Sequence, residues 1–198
     1  MKFSFDDGII LLMSTLIYIL IGLVAVLVLW FVFTYNGFIR LRNREKQAES
    51  DIDVQTKRRY DLIPNLVEAV KGYMKQEASV LENVTNARSQ AMQTGGSALD
   101  KAQAENQLTG ALKSLFAVAE SYPDLKSNQN FLELQKELSD TENKIMAARR
   151  FYNSVVQDLN TKIESFPSNV VAGLFGFKQE NFFEVSAPVE REPIQVKF

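Results

Sequence analysis

The sequence predicts an all-α protein in which a single N-terminal transmembrane helix is followed by an antiparallel bundle of long helices. No charged residue occurs from Gly8 to Ile39. Beyond that segment, apolar residues recur three and four apart, and no stretch shows the strict alternation that is typical of strands. With one spanning segment removed from 198 residues, about 160 remain, which is the usual size of one domain with one core.

The amino-acid composition excludes several classes of function. The formal net charge is -2, from 22 basic and 24 acidic residues, so no overall field favours nucleic acid. Cys and His are both absent, which removes disulfides, thiolate and imidazole metal ligands and the commonest general base. We therefore predict no enzymatic activity, no cofactor and no nucleic-acid partner.

Residues 9–35 are predicted to form the transmembrane helix. Ile, Leu, Val and Phe dominate this segment, and a spanning helix needs about 20 predominantly apolar residues. The run is longer than the apolar region of a cleaved signal peptide, which is about 7 to 15 residues. Side chains assigned to the anchor include Ile9, Leu20, Trp30 and Phe33, with Trp30 near one interface.

A basic juxtamembrane cluster predicts the orientation of the span. Arg40, Arg42, Arg44 and Lys46 follow it closely, whereas Lys2 is the one basic residue before it. Because Lys and Arg concentrate in cytoplasmic flanks, residues 1–8 are predicted to be a short exported N-terminus and residues 36–166 a cytoplasmic helical bundle. The same cluster would also attract anionic lipid.

Three long helical segments are predicted after the span. The first reaches Thr94; if it continues the membrane helix, it would extend about 80 Å from the bilayer at 1.5 Å per residue. Pro64 either kinks this helix or lies in the first turn of a new one capped by Asp61, and we favour the kink. Ser97 is a candidate N-cap for the second segment, which Pro123 ends.

The third segment holds the most regular apolar stripe, from Phe131 to Phe166, and Pro167 ends it. Short connections between the segments predict antiparallel packing. Residues 167–198 form an apolar tail that either covers an end or seam of the bundle or contacts another subunit or the membrane surface, and we favour the first. Its interface candidates are Leu174, Phe175, Phe177, Phe182 and Phe183.

Charged residues beside the apolar stripes predict a structural polar network. A partly buried guanidinium requires a carboxylate, and either Asp61 or Glu142 would accept bidentate hydrogen bonds that tie the first long helix to the third. The candidate members are Arg58, Arg59, Asp61, Glu142, Arg149 and Arg150. An enzyme that binds metal through carboxylates would instead need several inward-facing acidic residues, and the stripes contain almost none.

Four motifs resemble the LemA family. They are RRYDLIPNLVEAVKGYM at Arg58–Met74, YPDLKSNQNFLELQKEL at Tyr122–Leu138, DTENKIMAARRFYN at Asp140–Asn153, and ESFPSNVVAGLFGFKQENFFE in the tail. The resemblance implies a single-pass protein of the bacterial inner membrane, with a helical bundle and no established enzymatic activity. It also implies, by association, a membrane metalloprotease of the HtpX type as a partner.

The sequence therefore suggests a non-enzymatic, membrane-anchored scaffold or adaptor in envelope or membrane-protein quality control. Its expected partners are the lipid bilayer, a second copy of the chain, as a homo-oligomer, and a protease of the HtpX type. The alternatives are a carboxylate-dependent metal-binding enzyme and a membrane signalling component. An exported tail of about eight residues is too short to form a ligand-binding domain, which weighs against the signalling role.

Overall fold

A computed structural model describes residues 5–183, with side chains from Leu11 onward. Within this range the regular elements are all helices, which confirms the all-α fold class. They are α1 (Phe5–Lys71), α2 (Ala78–Gln93), α3 (Ala98–Ala119), α4 (Pro123–Lys126), α5 (Gln129–Glu164) and α6 (Ser168–Phe175). The side chains of the predicted exported N-terminus, residues 1–8, and residues 184–198 of the tail lie outside the described residues.

The chain divides into two compact units, to both of which α1 and α5 contribute residues. The first unit contains α1 up to Asn43 together with Asp158–Gln179, and the second contains Arg44–Gln157 together with the segment that begins at Glu180. In the first unit, Phe38, Leu159, Val171 and Ala172 form a small buried core.

The second unit has two buried clusters. The larger one draws apolar side chains from α1 to α5, namely Ile63, Leu66, Val70, Met74, Val84, Ala91, Ala104, Leu108, Leu112, Leu115, Ala119, Leu125, Phe131 and Leu138. The smaller one contains Ala48, Ile52, Ala102, Tyr152, Val156 and Phe183. These residues include most of the apolar stripes found in the sequence.

The prediction of one helical segment up to Thr94 is wrong. Helix α1 ends at Lys71, and the amides of Tyr73 and Met74 both donate to the carbonyl of Val70 at 2.9 and 3.0 Å, which closes a turn. The Met74 side chain nevertheless lies in the core, at 1% exposure. The apolar spacing therefore continues across the turn, and this hid the break between α1 and α2.

Helix α1 passes through Pro64, so Asp61 does not cap a new helix there. Proline has no amide hydrogen, which leaves the carbonyl of Tyr60, four residues earlier, without its helical donor. The Nε of Arg88 in α2 donates to that carbonyl at 2.7 Å. A side chain from the neighbouring helix thus satisfies the acceptor that the proline leaves open.

The predicted boundaries of α3 and α5 agree well with the structure. Ser97 and Asp100 form a capping box, in which each side chain accepts from the other residue's backbone amide. Helix α5 spans Gln129–Glu164, close to the third predicted segment. Helix α6 was not predicted from the sequence. It ends at a left-handed C-cap, Gly176 at φ 67°, and in the sequence this glycine indicates only a break in the chain.

Candidate functional sites

The N-terminal part of α1 is apolar and uncovered. Its most apolar 18-residue window has a mean hydropathy of 3.0, and none of that window is buried. Leu20, Phe33 and Trp30 are 60%, 67% and 36% exposed. The helix is long and apolar enough to cross a membrane, as predicted, although the side chain of Ile9 lies outside the described residues.

An aromatic cluster lies where the apolar segment of α1 ends. The ring of Phe175 is 5.7 Å from that of Phe31 and 4.6 Å from that of Tyr35. The ring of Phe177 stacks on Phe38 at 4.7 Å and meets Tyr35 edge-on at 6.1 Å. Two interface candidates from the tail therefore pack on α1 within the first unit.

Lys162 borders this aromatic cluster. Its Nζ lies 4.9 Å from the centre of the Phe38 ring, within the range of a cation–π contact. The absence of a side chain at Gly37 makes room for it, because a Cβ there would lie 1.9 Å from Nζ. Burial lowers the pKa of Lys162, and the charge of Arg40 adds to that shift.

The other interface candidates differ in their surroundings. Leu174 and Phe182 are exposed, whereas Phe183 is buried in the second unit. The Phe183 ring meets Tyr152 edge-on at 4.9 Å, and its backbone amide donates to Oδ1 of Asn153 at 2.8 Å. At Phe183 the tail therefore packs on its own bundle, which is the alternative favoured from the sequence.

A buried charge cluster joins α1, α3 and α5 in the second unit. Arg59 is 1% exposed, and its guanidinium forms ion pairs with Glu105 and Glu142. Its Nη1 also donates to the hydroxyl of Thr109 at 3.0 Å, and the hydroxyl of Tyr60 donates to Glu105. Burial lowers the pKa of Arg59, and the Glu142 carboxylate opposes that shift.

The structure brings together only part of the predicted polar network. Arg59 meets Glu142, and Arg149 is half-buried with its Nη1 3.5 Å from Oδ1 of Asn106. Arg58, Asp61 and Arg150 are instead exposed. These three side chains lie on the solvent-facing sides of α1 and α5. The spacing of residues along each helix did not distinguish this side from the edge of the apolar stripe.

Sequence reasoning missed Glu105, Thr109 and Tyr60 as members of the charge cluster. Glu105 is the informative one, because it lies three residues before Leu108 and seven before Leu112 and so falls on the buried face of α3. A carboxylate at such a position requires a buried cation. The sequence therefore carried a signal for a buried ion pair on α3, but the identity of the cation, Arg59, comes from the structure.

The charge cluster borders a groove of about 440 Å³. The Arg59 guanidinium lies between two carboxylates, so neither carboxylate is left as a free general base. Apolar residues such as Leu112 line part of the groove, and a larger number of polar residues, including Lys113, Gln135 and Asn143, line the rest. Among the described residues, no group of three or more acidic side chains is arranged to hold a metal ion.

The juxtamembrane cluster is free to meet lipid or solvent. Arg40, Arg42, Arg44 and Lys46 are all exposed. The Arg44 guanidinium lies 6.0 Å from the centre of the Phe151 ring, a contact within the second unit. None of the four is enclosed as a binding pocket residue would be.

Comparison with known proteins identifies the family. Residues 48–198 match the sequence profile of the LemA family. The match contains nearly all of the second unit and the Asp158–Gln179 part of the first, and it leaves out the α1 part of the first unit, up to Asn43. The chain belongs to the LemA family. The resemblance of the four motifs is thereby confirmed.

Individual relatives are distant. Protein LemA of Metamycoplasma hominis is 27% identical over 85% of this chain and 78% of its own length. Magnetosome proteins MamQ 1 and MamQ 2 of Paramagnetospirillum magneticum are each 25% identical over 76% of this chain. The matched region spans 64% of the length of those MamQ proteins.

Proposed function

We propose that this LemA-family protein is a membrane-anchored, non-enzymatic scaffold whose helical domain lies in the cytoplasm. The observation that carries the proposal is the uncovered apolar segment of α1, of which none is buried. Roughly eighteen Leu, Ile, Val or Phe side chains at about -0.3 to -0.6 kcal/mol each favour membrane insertion by several kcal/mol. In water the same side chains would form one large exposed apolar surface.

The non-enzymatic role is supported by the chemistry of the helical domain. The most buried charged group, Arg59, is neutralised by Glu105 and Glu142. A catalytic acid or base needs instead a proton that it can exchange near neutral pH. The charge cluster suits the joining of three helices better than the conversion of a substrate.

The orientation rests on the basic residues that follow the span. Single-cysteine variants report it cleanly, because the chain has no native Cys. We expect a membrane-impermeant maleimide to label Ser4→Cys in intact cells and Ser97→Cys only after the membrane is permeabilised. Labelling of Ser97→Cys in intact cells would overturn the proposed orientation.

Self-association and a protease partner belong to the same proposal. Cross-linking in native membranes, followed by purification in mild detergent, would capture a homo-oligomer and any companion such as an HtpX-type metalloprotease. We expect complexes larger than one chain. A strict monomer without companions, both with the intact tail and with residues 184–198 removed, would contradict the scaffold role while leaving the anchor intact.

A further inference from the structure

We infer that α6 is a second, peripheral membrane contact, which lies along the bilayer surface with its exposed apolar face in the lipid headgroup region. The inference rests on the proposed membrane anchor and deepens it. The occupant of this face is the bilayer that α1 enters.

Helix α6 has one apolar face that is covered and another that is not. Val171 and Ala172 are buried in the core of the first unit. Val170 and Leu174, four residues apart on one side of the helix, are 54% and 70% exposed. Phe166, just before the helix, is 82% exposed. A short helix with apolar residues on both sides requires a second apolar environment.

The C-terminal end of α6 lies against the end of the proposed membrane span. Phe175, at the end of α6, packs against Phe31 and Tyr35 of α1, at 5.7 and 4.6 Å between ring centres. Phe31 belongs to the apolar segment, and Tyr35 is the last residue of the predicted span. The contacts therefore hold α6 at the level where α1 leaves the hydrocarbon.

Aromatic residues and nearby cations suit this level of a bilayer. Tyr and Trp concentrate at the membrane–water interface, where Tyr35 and Trp30 would lie. Arg40, Arg42 and Lys178 are exposed in the same unit, and basic side chains near the surface each attract anionic lipid by roughly 1 kcal/mol. Lipid thus accounts for both the apolar face of α6 and the charges around it.

Depth-dependent fluorescence quenching tests the inference on the full chain. Single-cysteine variants are labelled with the environment-sensitive fluorophore nitrobenzoxadiazole and reconstituted into vesicles of phosphatidylcholine and phosphatidylglycerol. The vesicles also contain lipids that carry the nitroxide quencher at either a shallow or a deep position in the bilayer. The sites are Leu174→Cys on the exposed face of α6, Asn169→Cys as a matched control, Leu20→Cys in the span and Ser97→Cys in the second unit. Asn169 is also exposed, and it lies about 140° around the helix from Leu174.

We expect the label at Leu174 to be quenched most by the shallow nitroxide, at a depth of about 5–10 Å into the headgroup and acyl boundary. The label at Asn169 should be quenched less, the label at Leu20 should respond most to the deep nitroxide, and the label at Ser97 should respond to neither. Because Leu174 is exposed, its replacement leaves the core of the first unit intact, which circular dichroism verifies.

Each contrary result identifies what has failed. If Leu20 is quenched but Leu174 behaves like Ser97, the inference about α6 is overturned and the anchor remains. If Leu20 is not quenched either, the proposed anchor is overturned with it. If Leu174 escapes lipid quenching and copies cross-link through a cysteine at this position, a second copy of the chain covers α6 instead of the bilayer.

Discussion

At the scale of single residues, Arg59 is the charged side chain with the largest expected effect on stability. Its guanidinium is buried with two carboxylates, and the side chains of Glu105 and Glu142 are 5% and 30% exposed. Replacing such a group by well-packed apolar residues is often neutral, but removing one partner leaves buried charge uncompensated. The cluster therefore fixes the relative placement of α1, α3 and α5 more than it adds net stability.

Arg59→Met should lower the free energy of unfolding by about 3–5 kcal/mol, because it leaves the Glu105 charge buried without its cation. Arg150→Met is the matched control and should change it by less than about 0.5 kcal/mol, since Arg150 is exposed. Urea unfolding of the detergent-solubilised protein, followed by circular dichroism, measures both values. Equal effects of the two substitutions would contradict a role for burial.

Tyr152 should make the protein less stable at alkaline pH. Burial, with the nearby Glu45 carboxylate second, raises the pKa of Tyr152 above its ordinary value of 10.0. The folded state then keeps the phenolic proton that the unfolded state releases, so this contribution to stability is complete below pH 10 and is lost as the pH rises above it.

Tyr152→Phe separates this effect from other alkaline titrations, such as those of lysines. The variant loses the hydrogen bond from the phenol to the carbonyl of Asn181, 3.3 Å away, at every pH. Its stability should nevertheless fall less steeply than that of the parent chain above pH 10. Parallel slopes in urea unfolding series from pH 8 to 11 would show that the phenol stays unshifted.

At the scale of helices, local signals in the sequence determined which boundaries were predictable. Ser97 and Pro123 bracket α3, since a capping side chain and a proline act on adjacent backbone. The end of α1 at Lys71 was not predictable from the apolar pattern, because Met74 fills a core position from within the turn. The pairing of Glu105 with Arg59 depends on tertiary packing, so spacing along one helix could not show which cation Glu105 meets.

The hydrogen bond from Arg88 of α2 to the Tyr60 carbonyl of α1 can be tested together with Pro64, the residue that leaves this carbonyl without a helical donor. Arg88→Met should lower the free energy of unfolding by about 1–3 kcal/mol, because the partly buried carbonyl of Tyr60 loses its hydrogen-bond donor. In a Pro64→Ala background the restored backbone amide at position 64 donates to that carbonyl, so the same Arg88 substitution should cost less.

The double-mutant cycle for these two positions is read from thermal or urea unfolding, with Arg58→Met as a control in both backgrounds. Arg58 is exposed on the same helix, and its replacement should have little effect in either background. If Arg88→Met costs the same with and without the proline, the contact with the Tyr60 carbonyl contributes nothing specific to stability.

At the scale of the whole molecule, composition alone predicted the apolar anchor, because no charged residue interrupts the segment from Gly8 to Ile39. The sequence did not resolve how the tail is used. Its apolar residues separate into Phe175 and Phe177, which pack on α1 in the first unit, and Phe183, which packs on Tyr152 in the second. Which of these apolar residues packs in which unit depends on the path of the chain after α6, and the apolar pattern alone does not give that path.

The proposed orientation predicts that flanking charge controls which side of the membrane the helical domain occupies. Replacing Arg40, Arg42, Arg44 and Lys46 by Gln while changing Asp6 and Asp7 to Lys moves the basic excess to the other flank. The cysteine at position 97 should then react with impermeant maleimide in intact cells. All four basic residues are exposed, so the substitutions leave the cores intact.

The control variant exchanges Arg40, Arg42 and Arg44 for Lys and keeps the charge on its original side, so it should retain the parental orientation. Both variants need equal expression and equal resistance to carbonate extraction, which verifies insertion independently of orientation. Unchanged protection of position 97 in the charge-inverted variant would show that the helical domain, not the flanking charge, determines the orientation. In that case the folded bundle would resist export whatever the signal in its flanks.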